Sequence, residues 1–596
     1  MNGREPPTLR FVFPLGAALV LSTCTCSGPM HGKETPATRP PQVESPRVPG
    51  PTGEARVTQV KVVPSFETAG VYLTLDADPV SAATSARIRA EGAPRFEPVH
   101  PFVRYDARHV ATSLFDLRPS TRYTLEILDG KRVLRHTFST RPPFIVPRPR
   151  RTVRVANRPH LTRALRRARP GDLILVAPGS YTGGFKLENK HGTVRRPIVI
   201  RGDVSADALA RPVKDRAGLP VIRDAHVNPV DGMEIGLYIS ASSHIVVDSL
   251  RFEKNPRSAI RLDGSRFCVV QNCQSINNGG GTQAAMLIYT GGRKAGHNLV
   301  QSSYFYEDVR RSGMAEYGVA NDLDPGPGTV IRSNTFVGFE NAVTPCSDEG
   351  KTQDVSENAK DVLARWSNHD VEVYDNTFIN VNGDAIEADG ICVNARIYRN
   401  RVLGRVKYSP ISIAPTVPGP VFLVRNIIVG AFRGSSVKFN TSKGRGTIRN
   451  IFFYHNTIMR TRKAGTDWGA LSFWDGTPSK NIVFKNNIIT SVDLLSTIQP
   501  EWTHRPAMDH NLWYASRGVE APVFSYDGNP GFTVGWRGWR EKTGYEAHGV
   551  WGDPRLDGTL RPRRGSPAID RGAIIPGVNN GYSGAAPDIG AMEANR

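Results

Sequence analysis

The segment GDAIEAD, residues 383–389, concentrates acidic side chains in a short stretch of the chain: Asp384, Glu387 and Asp389. If the segment is a strand, Glu387 and Asp389 point the same way, roughly 6.6 Å apart. Two carboxylates at such a spacing could supply the acid and base of glycoside cleavage, although the spacing does not separate retention from inversion. Together with Asp384 they could instead bind calcium, which prefers oxygen ligands. An exposed acidic surface with no function is the third interpretation.

Other residue types suited to a sugar polymer lie in neighbouring segments. Lys438, in SSVKFN, offers an amine that could act as a base. Trp474 and Tyr289 offer aromatic faces on which sugar rings can stack, and Asn440 and Arg261 offer donors for hydroxyl and carboxylate groups. We therefore predict Lys438, Glu387 and Asp389 as catalytic residues, and the other four as substrate-binding residues.

A repeat must position these side chains. Short alternating phrases such as VEVYDNTFIN, ARIYRNRVLG and FLVRNIIVGA recur at intervals of 23 to 42 residues. Alternation with a base period in the twenties predicts a coil of three short strands, stacked on its neighbours with a polar ladder at one bend. The aligned polar positions are Ser249, Asn272, Ser302, Asn334, Asn376, Asn400, Asn426, Asn456 and Asn486.

Using these positions as a ruler places the candidate residues in rows. Glu387, Ser412 and Lys438 should form one outward row, with Glu387 and Lys438 roughly 10 Å apart because adjacent coils lie about 4.8 Å apart. A second row, two residues further along each strand, comprises Asp263, Asp389, Ala414 and Asn440, and we expect Trp474 and Tyr289 to join it.

The repeat and its flanks resemble a known family. The opening HLTRALRRARPGDLILVAPGSYTGGF, with an amphipathic helix that can cap the stack, is similar to the start of alginate lyase and chondroitinase B-like enzymes. The closing GDPRLDGTLRPRRGSPAIDRGA resembles the end of exported bacterial β-helix proteins. The resemblance implies a right-handed parallel β-helix of the pectin-lyase-like type, an all-β fold that hosts lyases, hydrolases and adhesins.

The resemblance also implies site roles. In the lyases a lysine is the base, an arginine assists, and calcium often takes part; Lys438 would stand for the lysine. The next coil, GALSFWDG, has no arginine at the comparable place. The paired aspartates and GHG phrase of polygalacturonases are also absent from the sequence.

Five segments make up the predicted domain organisation. Residues 1–26 are typical of an export signal, and LSTC, ending at Cys24, resembles a lipobox. Residues 27–56 are a Pro-rich linker. Residues 57–145, which contain SLFDLRPSTRYTLEI, resemble a fibronectin type III β-sandwich. The β-helix is expected over 150–500 and a closing segment over 501–596.

Charge and cysteine usage limit the partners. The net charge of +21 favours an anionic partner, and with an export signal we predict an acidic polysaccharide. No nucleic-acid reading motif is present, so nucleic acid is not expected. We expect a monomer, extracellular or held at the outer membrane only by a lipid anchor.

Four cysteines lie in the body of the chain: Cys268, Cys273, Cys346 and Cys392. Each is either free or disulfide-bonded, and a Cys346–Cys392 bond is one hypothesis.

The function predicted from the sequence is therefore that of an exported polysaccharide-active β-helix protein, with a lyase preferred over a hydrolase. The alternative is a non-catalytic adhesin or a protein that binds an envelope polysaccharide.

Overall fold

A computed structural model describes most of the chain from residue 55 onwards. The described residues are 55–77, 84–225, 234–279, 286–291, 295–311, 317–322, 325–346, 362–365, 368–440, 447–462, 468–474, 479–499, 506–526 and 531–595, with the backbone alone at 286–289, 291, 322 and 364–365. The predicted export signal, Cys24 and the Pro-rich linker up to residue 54 lie outside these ranges. No helix among the described residues combines the length and apolar character needed to cross a membrane.

Three long sheets of 13 strands each form a right-handed parallel β-helix, which confirms the predicted fold. Each coil contributes one strand to each sheet, and every pairing within these sheets is parallel except that of β47 with β48. Alternate side chains point inward and stack on their equivalents in the next coil; the stacked rings of Phe336 and Phe378 are 5.1 Å apart. The core is therefore one continuous apolar column along the axis of the solenoid.

The first sheet contains β9 (Arg151–Val155), β10 (Asp172–Val176), β13 (Ile198–Gly202), β16 (Ile245–Asp248), β19 (Val269–Gln271), β22 (Leu299–Gln301), β25 (Val330–Arg332), β28 (Glu372–Tyr374), β32 (Ala395–Tyr398), β36 (Val421–Val424), β39 (Arg449–Tyr454), β42 (Lys480–Lys485) and β45 (Ala507–Asp509). The second sheet contains β11 (Ser180–Thr182), β14 (Val221–Arg223), β17 (Arg251–Glu253), β20 (Gln274–Ile276), β23 (Tyr304–Tyr306), β26 (Thr335–Val337), β29 (Thr377–Ile379), β33 (Arg401–Val406), β37 (Ile427–Phe432), β40 (Thr457–Arg460), β43 (Ile488–Ser491), β46 (Leu512–Ala515) and β49 (Val550–Trp551).

The third sheet contains β12 (Phe185–Glu188), β15 (Ile235–Ser240), β18 (Ser258–Asp263), β21 (Met286–Gly291), β24 (Tyr317–Asp322), β27 (Asn341–Thr344), β30 (Ile386–Glu387), β34 (Ile411–Ile413), β38 (Val437–Asn440), β41 (Leu471–Trp474), β44 (Ser496–Ile498), β47 (Phe524–Tyr526) and β48 (Phe532–Val534). A short extra sheet joins β31 (Gly390–Cys392) to β35 (Thr416–Pro418). The helices are α1 (Arg158–Arg166), α2 (Ala206–Leu209), α3 (Val362–Arg365) and α4 (Trp536–Thr543), with a 3₁₀ turn at Val213–Asp215.

An asparagine ladder runs along the bend between the first and second sheets. Each amide nitrogen donates to the side-chain oxygen of the next coil and to a backbone carbonyl; for example, Asn400 Nδ2 lies 3.0 Å from Asn426 Oδ1 and 2.8 Å from the Val373 carbonyl oxygen. The ladder residues are Ser303, Asn334, Asn376, Asn400, Asn426, Asn456, Asn487 and Asn511. The buried carboxylate of Glu546 accepts the last amide, that of Asn511, at 2.7 Å.

Four of the nine predicted markers are one residue away from this ladder. These four residues occupy the preceding position of the bend, where the backbone is left-handed. They are Ser249, Asn272, Ser302 and Asn486, with φ values between 50° and 60°. Asn is favoured at left-handed backbone positions as well as in stacked ladders. Because the two positions are adjacent and share this preference, the alignment of phrases does not separate them.

Both ends of the solenoid are covered. At the start, α1 buries Leu161 and Leu165 against the first coils, which confirms the predicted cap. The Asn157 side chain accepts the His160 N–H and so caps the helix N-terminus. At the other end, Trp539 of α4 stacks on Phe524 at 4.9 Å and closes the last coil.

Two four-stranded antiparallel sheets precede the solenoid and share one apolar core. One contains β1 (Val57–Pro64), β2 (Ala69–Leu75), β6 (His109–Leu114) and β5 (Val103–Arg104); the other contains β4 (Glu97–Pro98), β3 (Thr84–Ala90), β7 (Arg122–Asp129) and β8 (Arg132–Ser139). This sandwich packs on the first sheet of the solenoid, where Phe115 contacts the rings of Tyr398 and Phe422. Its likeness to fibronectin type III stays a prediction.

Candidate functional site on the third sheet

The predicted row of Glu387, Ser412 and Lys438 exists. Glu387 in β30 pairs with Ser412 in β34, and Ser412 pairs with Lys438 in β38. All three side chains leave the sheet on the side opposite the core, because their neighbours Ile386, Ile411 and Val437 are buried in it. Two coil spacings separate Glu387 from Lys438, which is roughly 10 Å between their backbones.

The row extends in both directions along the solenoid. Backbone pairing links Arg261 to Tyr289 and Tyr289 to Ala320, and it places Thr344 beside Glu387 because Val343 pairs with Ile386. We call this set of equivalent positions the outer row: Arg261, Tyr289, Ala320, Thr344, Glu387, Ser412, Lys438 and Ser472. Six coils separate Arg261 from Lys438, roughly 29 Å.

Small and long side chains differ in burial along the outer row. Ser412 and Ser472 are buried, whereas Lys438 keeps 21% of its side chain exposed and Arg261 keeps 20%. Glu387 is also partly exposed. The row is thus a partly enclosed strip rather than the open, fully solvated sheet that the sequence left as one interpretation.

Lys438 is held by carboxylates from the coil of β30. Its Nζ lies 2.9 Å from Asp384 Oδ2, and Asp384 is itself buried, with Oδ1 accepting the Ser409 N–H. Burial opposes the charge on Lys438, but Asp384, Asp389 and Glu387 outweigh burial and raise its pKa. Lys438 is therefore an ammonium at neutral pH, a form that can bind a carboxylate but cannot accept a proton.

The second predicted carboxylate, Asp389, lies just beyond β30. The strand β30 ends at Glu387, and the Asp389 side chain is buried, 4% exposed. Its Oδ1 accepts the Ala414 N–H at 2.7 Å and the Ser412 hydroxyl at 2.9 Å. Because Ala388 packs in the core and the Asp389 carboxylate meets the outward Ser412 hydroxyl, Asp389 lies on the outer side of the sheet, as predicted, but is buried there by the next coil. Its charge still acts on Lys438.

Glu387 accepts hydrogen bonds from the preceding coil. Asn341 Nδ2 lies 3.0 Å from Glu387 Oε2, and the Thr344 hydroxyl lies 3.4 Å from the same oxygen. Asn341 Oδ1 also accepts the Asp384 N–H, so this one amide fixes two of the acidic residues. The acidic cluster is therefore a positioned set and not a series of independent surface charges.

The aromatic and amide candidates divide into two groups. Asn440 pairs with Trp474 as predicted, and the Trp474 ring lies 4.4 Å from that of Trp468. Tyr289 belongs to the outer row with Arg261 and not to the row of Asn440, so its predicted row is wrong; its side chain lies outside the described residues. Arg261 Nη2 lies 3.4 Å from Asp263 Oδ2. Arg261 is six coils away from Lys438 and does not contact it.

The observed side chains do not fit a calcium ion bound by Asp384, Glu387 and Asp389 together. Asp384 Oδ2 faces the Lys438 ammonium, which occupies the position of a cation, and both Asp389 oxygens accept the Ser412 hydroxyl. Nor, among the described residues, do these three carboxylates bring ligand atoms within 4.8 Å of one another. We derive no chemistry from calcium at this place.

A second polar cluster, on the first sheet, was not predicted. Arg396 is 1% exposed and pairs with Asp370 at 3.0 Å and Glu372 at 2.9 Å. From the sandwich, the Tyr72 hydroxyl donates to Asp370 at 2.8 Å, and the Thr68 hydroxyl donates to Glu372 at 2.7 Å. Burial opposes the charge of Arg396, but Glu372 and Asp370 outweigh it and raise its pKa. We call these five residues the interface cluster.

The interface cluster joins the sandwich to the solenoid and leaves no room for a substrate. A cavity of about 10 Å³ beside Arg396 and Glu372 could hold at most a water molecule. The sequence signal that could have revealed this cluster is the pairing of Glu372 with Arg396 at outward positions of the adjacent strands β28 and β32.

A larger cavity, about 690 Å³, lies between the sandwich and residues 577–581, and no predicted site residue lines it.

Of the four cysteines in the described part of the chain, two form a disulfide and two are free. Cys346 and Cys392 form a disulfide, as hypothesised, and tie the coil of β27 to that of β30. Cys268 and Cys273 are free and buried, and burial raises the pKa of each thiol to about 12. They are structural thiols and not nucleophiles.

Comparison with known proteins gives likenesses at low identity. The sequence matches no protein-family model and no curated protein. Among solved structures, an alginate lyase from Paenibacillus sp. is 15% identical over 63% of this chain and 98% of its own, with a TM-score of 0.30. The PL6 family alginate lyase AlyGC is 14% identical, with a TM-score of 0.37; the alignment covers 63% of this chain and about half, 53%, of that enzyme.

A family 28 exopolygalacturonase from Yersinia enterocolitica is 10% identical over 79% of this chain and 98% of its own, with a TM-score of 0.33. Likenesses of this extent do not assign an activity. The fold assignment rests on the strand pairing described above.

Proposed function

We propose that this protein binds an acidic polysaccharide along the outer row and cleaves it by β-elimination at Lys438. The observation that carries the proposal is the placement of Lys438, partly exposed, among Asp384, Glu387 and Asp389 on a strip of stacked strands. A linear polymer lying along the axis would meet Arg261 and Lys438 in turn. Sugar rings bound there would carry the carboxylates that those cations attract.

The proposed reaction uses Lys438 as its base. The small fraction of Lys438 that is a free amine removes the C5 proton of a uronate, and the C5–H electron pair forms the C4=C5 double bond. The C4–O bond breaks, and the leaving oxygen takes a proton from water. A substrate carboxylate that displaces Asp384 from Lys438 would place the amine at the sugar ring.

A second candidate function is binding without cleavage. The ion pair of Lys438 with Asp384 and the raised pKa of Lys438 favour it, since a permanent ammonium recognises carboxylates but is a poor base. In this case the protein is an adhesin or a binding protein for an envelope polysaccharide. Its location, outside the cell and held by a lipid anchor or free, belongs to the same proposal.

One assay separates these functions. The protein is incubated with alginate, pectate, chondroitin sulfate and hyaluronan, and unsaturated uronate is followed by absorbance near 232 nm alongside reducing ends. The matched control is Lys186→Ala, because Lys186 is also ion-paired, to Glu188 at 2.7 Å, and occupies the equivalent position eight coils from Lys438.

A lyase gives the chromophore with wild type and Lys186→Ala, and loses it with Lys438→Ala and Lys438→Arg. Reducing ends without the chromophore indicate a hydrolase. Retention on a polymer column without either product, weakened by Lys438→Ala and kept by Lys438→Arg, supports the binding protein. No product and no retention on any of the four polymers contradicts both proposals.

A further inference from the structure

A group of two imidazoles and one carboxylate lies at the C-terminal end of the solenoid, away from the outer row. Asp509 is the last residue of β45, and His510 follows it; His548 comes from the loop between α4 and β49. One ligand atom from each of the three lies within 4.8 Å of the others, and no other such group of three occurs within the described ranges. The side chains of Asp509, His510 and His548 are 28%, 25% and 66% exposed.

The carboxylate is oriented by the backbone before any ion binds. Asp509 Oδ1 accepts the His510 N–H at 2.9 Å and the His548 N–H at 2.8 Å. This leaves Oδ2 facing the rings, 2.9 Å from His548 Nδ1 and 3.8 Å from His510 Nε2. One oxygen thus holds two chain segments together, while the other is presented to both imidazoles.

The two imidazoles are close to each other. Their rings are stacked, with centroids 4.7 Å apart and planes inclined by 13°. Chelation of one ion requires the lone pairs to converge, and the exposed His548 ring can turn to meet it. A bound ion would take the place of the hydrogen bond between His548 Nδ1 and Asp509 Oδ2.

The donor set identifies the class of ion. Two imidazole nitrogens and a carboxylate oxygen suit Zn²⁺ and its first-row neighbours, whereas calcium prefers oxygen ligands alone. Three protein ligands leave a fourth tetrahedral position for water. Nearby cations do not supply attraction: Lys485 is the neighbour of Asp509 in the adjacent strand β42, and Arg540 donates to the Ala547 carbonyl. Binding therefore depends on coordination and not on a negative field.

We propose that Asp509, His510 and His548 form a zinc site that fastens the last strand of the first sheet to the C-terminal segment. The same junction holds the end of the asparagine ladder, where the Asn511 N–H donates to Glu546 at 3.1 Å. A zinc ion there joins two segments separated by 38 residues along the chain, counted from His510 to His548. Zinc that binds the folded state stabilises it by mass action.

The test uses the full chain without a polyhistidine tag, freed of metal by dialysis against a chelator. Titration with ZnCl₂ is followed by calorimetry and by the thermal unfolding midpoint, and CoCl₂ gives a visible spectrum that reports nitrogen ligation. We expect saturation at about one equivalent and a higher Tm. His548→Ala and His510→Ala should each weaken binding by about tenfold or more.

Two further variants keep the test falsifiable. Asp509→Asn retains Oδ1 as acceptor for both backbone N–H groups but removes the charge at Oδ2, so it should fold and bind zinc more weakly. His160→Ala, on the exposed surface of α1, is the matched control and should bind as wild type does. No saturable zinc binding by wild type, or equal binding by wild type and His548→Ala, would overturn the proposal. Neither result bears on Lys438.

Discussion

Arg396 and Glu372 lie directly opposite each other in adjacent strands of the first sheet, and their side chains form a buried 2.9 Å ion pair beneath the sandwich. The Thr68 hydroxyl from the sandwich donates to the same Glu372 oxygen that accepts Arg396 Nη2. A spacer domain would leave the solenoid surface free. Here the sandwich and the solenoid instead complete one polar network, so we expect them to unfold together.

Substitution of Arg396 should therefore lower the stability of the folded protein strongly. Arg396→Met leaves Asp370 and Glu372 buried without their cation, which we expect to lower the free energy of unfolding by about 3–5 kcal/mol. Urea denaturation followed by fluorescence measures it. The control is Arg425→Met: Arg425 also bridges to the sandwich, at Asp116, but the pair is partly exposed and should contribute about 1 kcal/mol or less. Equal losses for the two variants would show that the interface cluster is no stronger than a surface pair.

The pH dependence of cleavage should report the state of Lys438. Its pKa is raised above the usual 10.5, so the amine fraction is small at neutral pH and grows as the pH rises. If Lys438 is the base, kcat/KM increases with pH into the alkaline range. Asp384→Asn removes the strongest of the neighbours that raise this pKa, so the rising limb should move to lower pH.

Lys438 should make the stability of the fold decrease with rising pH, whereas it makes the cleavage rate increase. A raised lysine pKa stabilises the fold at pH values below the unfolded pKa, and this contribution disappears as the pH rises through the folded value. Asp384→Asn should thus be less stable than wild type at pH 7 and approach it in strong alkali. A rate profile unchanged by Asp384→Asn would exclude Lys438 as the base of the cleavage.

The ladder and the position before it should respond differently to substitution. Asn426→Leu removes from the core the donor to the Ile397 carbonyl and the acceptor of the Asn400 backbone N–H, and should cost about 2–4 kcal/mol. Asn272→Gly, at a left-handed position that glycine adopts freely, should cost less than about 1 kcal/mol. Denaturant titrations compare the two, and a larger loss at Asn272 would reverse the assignment of the ladder.

The number of reactive thiols should change in two steps, first on unfolding and then on reduction. In a chain that lacks residues 1–52, the folded protein should expose no reactive thiol, because Cys268 and Cys273 are buried and burial raises the pKa of both to about 12. Unfolding in denaturant without reductant should release two thiols, and reduction should release two more from Cys346 and Cys392. Four thiols before reduction would contradict the disulfide.

The sequence by itself determined the solenoid. Strand alternation and the recurrence of short phrases depend on local chemistry: each coil must bury the same alternate positions on its neighbours. That pattern was enough to predict the three sheets and the row of Glu387, Ser412 and Lys438, and the amphipathic segment before it predicted the N-terminal cap. It failed by one residue at Ser249, Asn272, Ser302 and Asn486, because adjacent positions of the bend accept the same residue types.

Only the tertiary structure decided the rest. Asp389 is buried by its bonds to Ser412 and Ala414 of the next coil, and Asp384 reaches Lys438 across two coils; alternation within one strand records neither contact. The interface cluster and the group of Asp509, His510 and His548 join segments that are about 300 and 40 residues apart. Such contacts depend on how one surface meets another, so no periodicity along the chain records them.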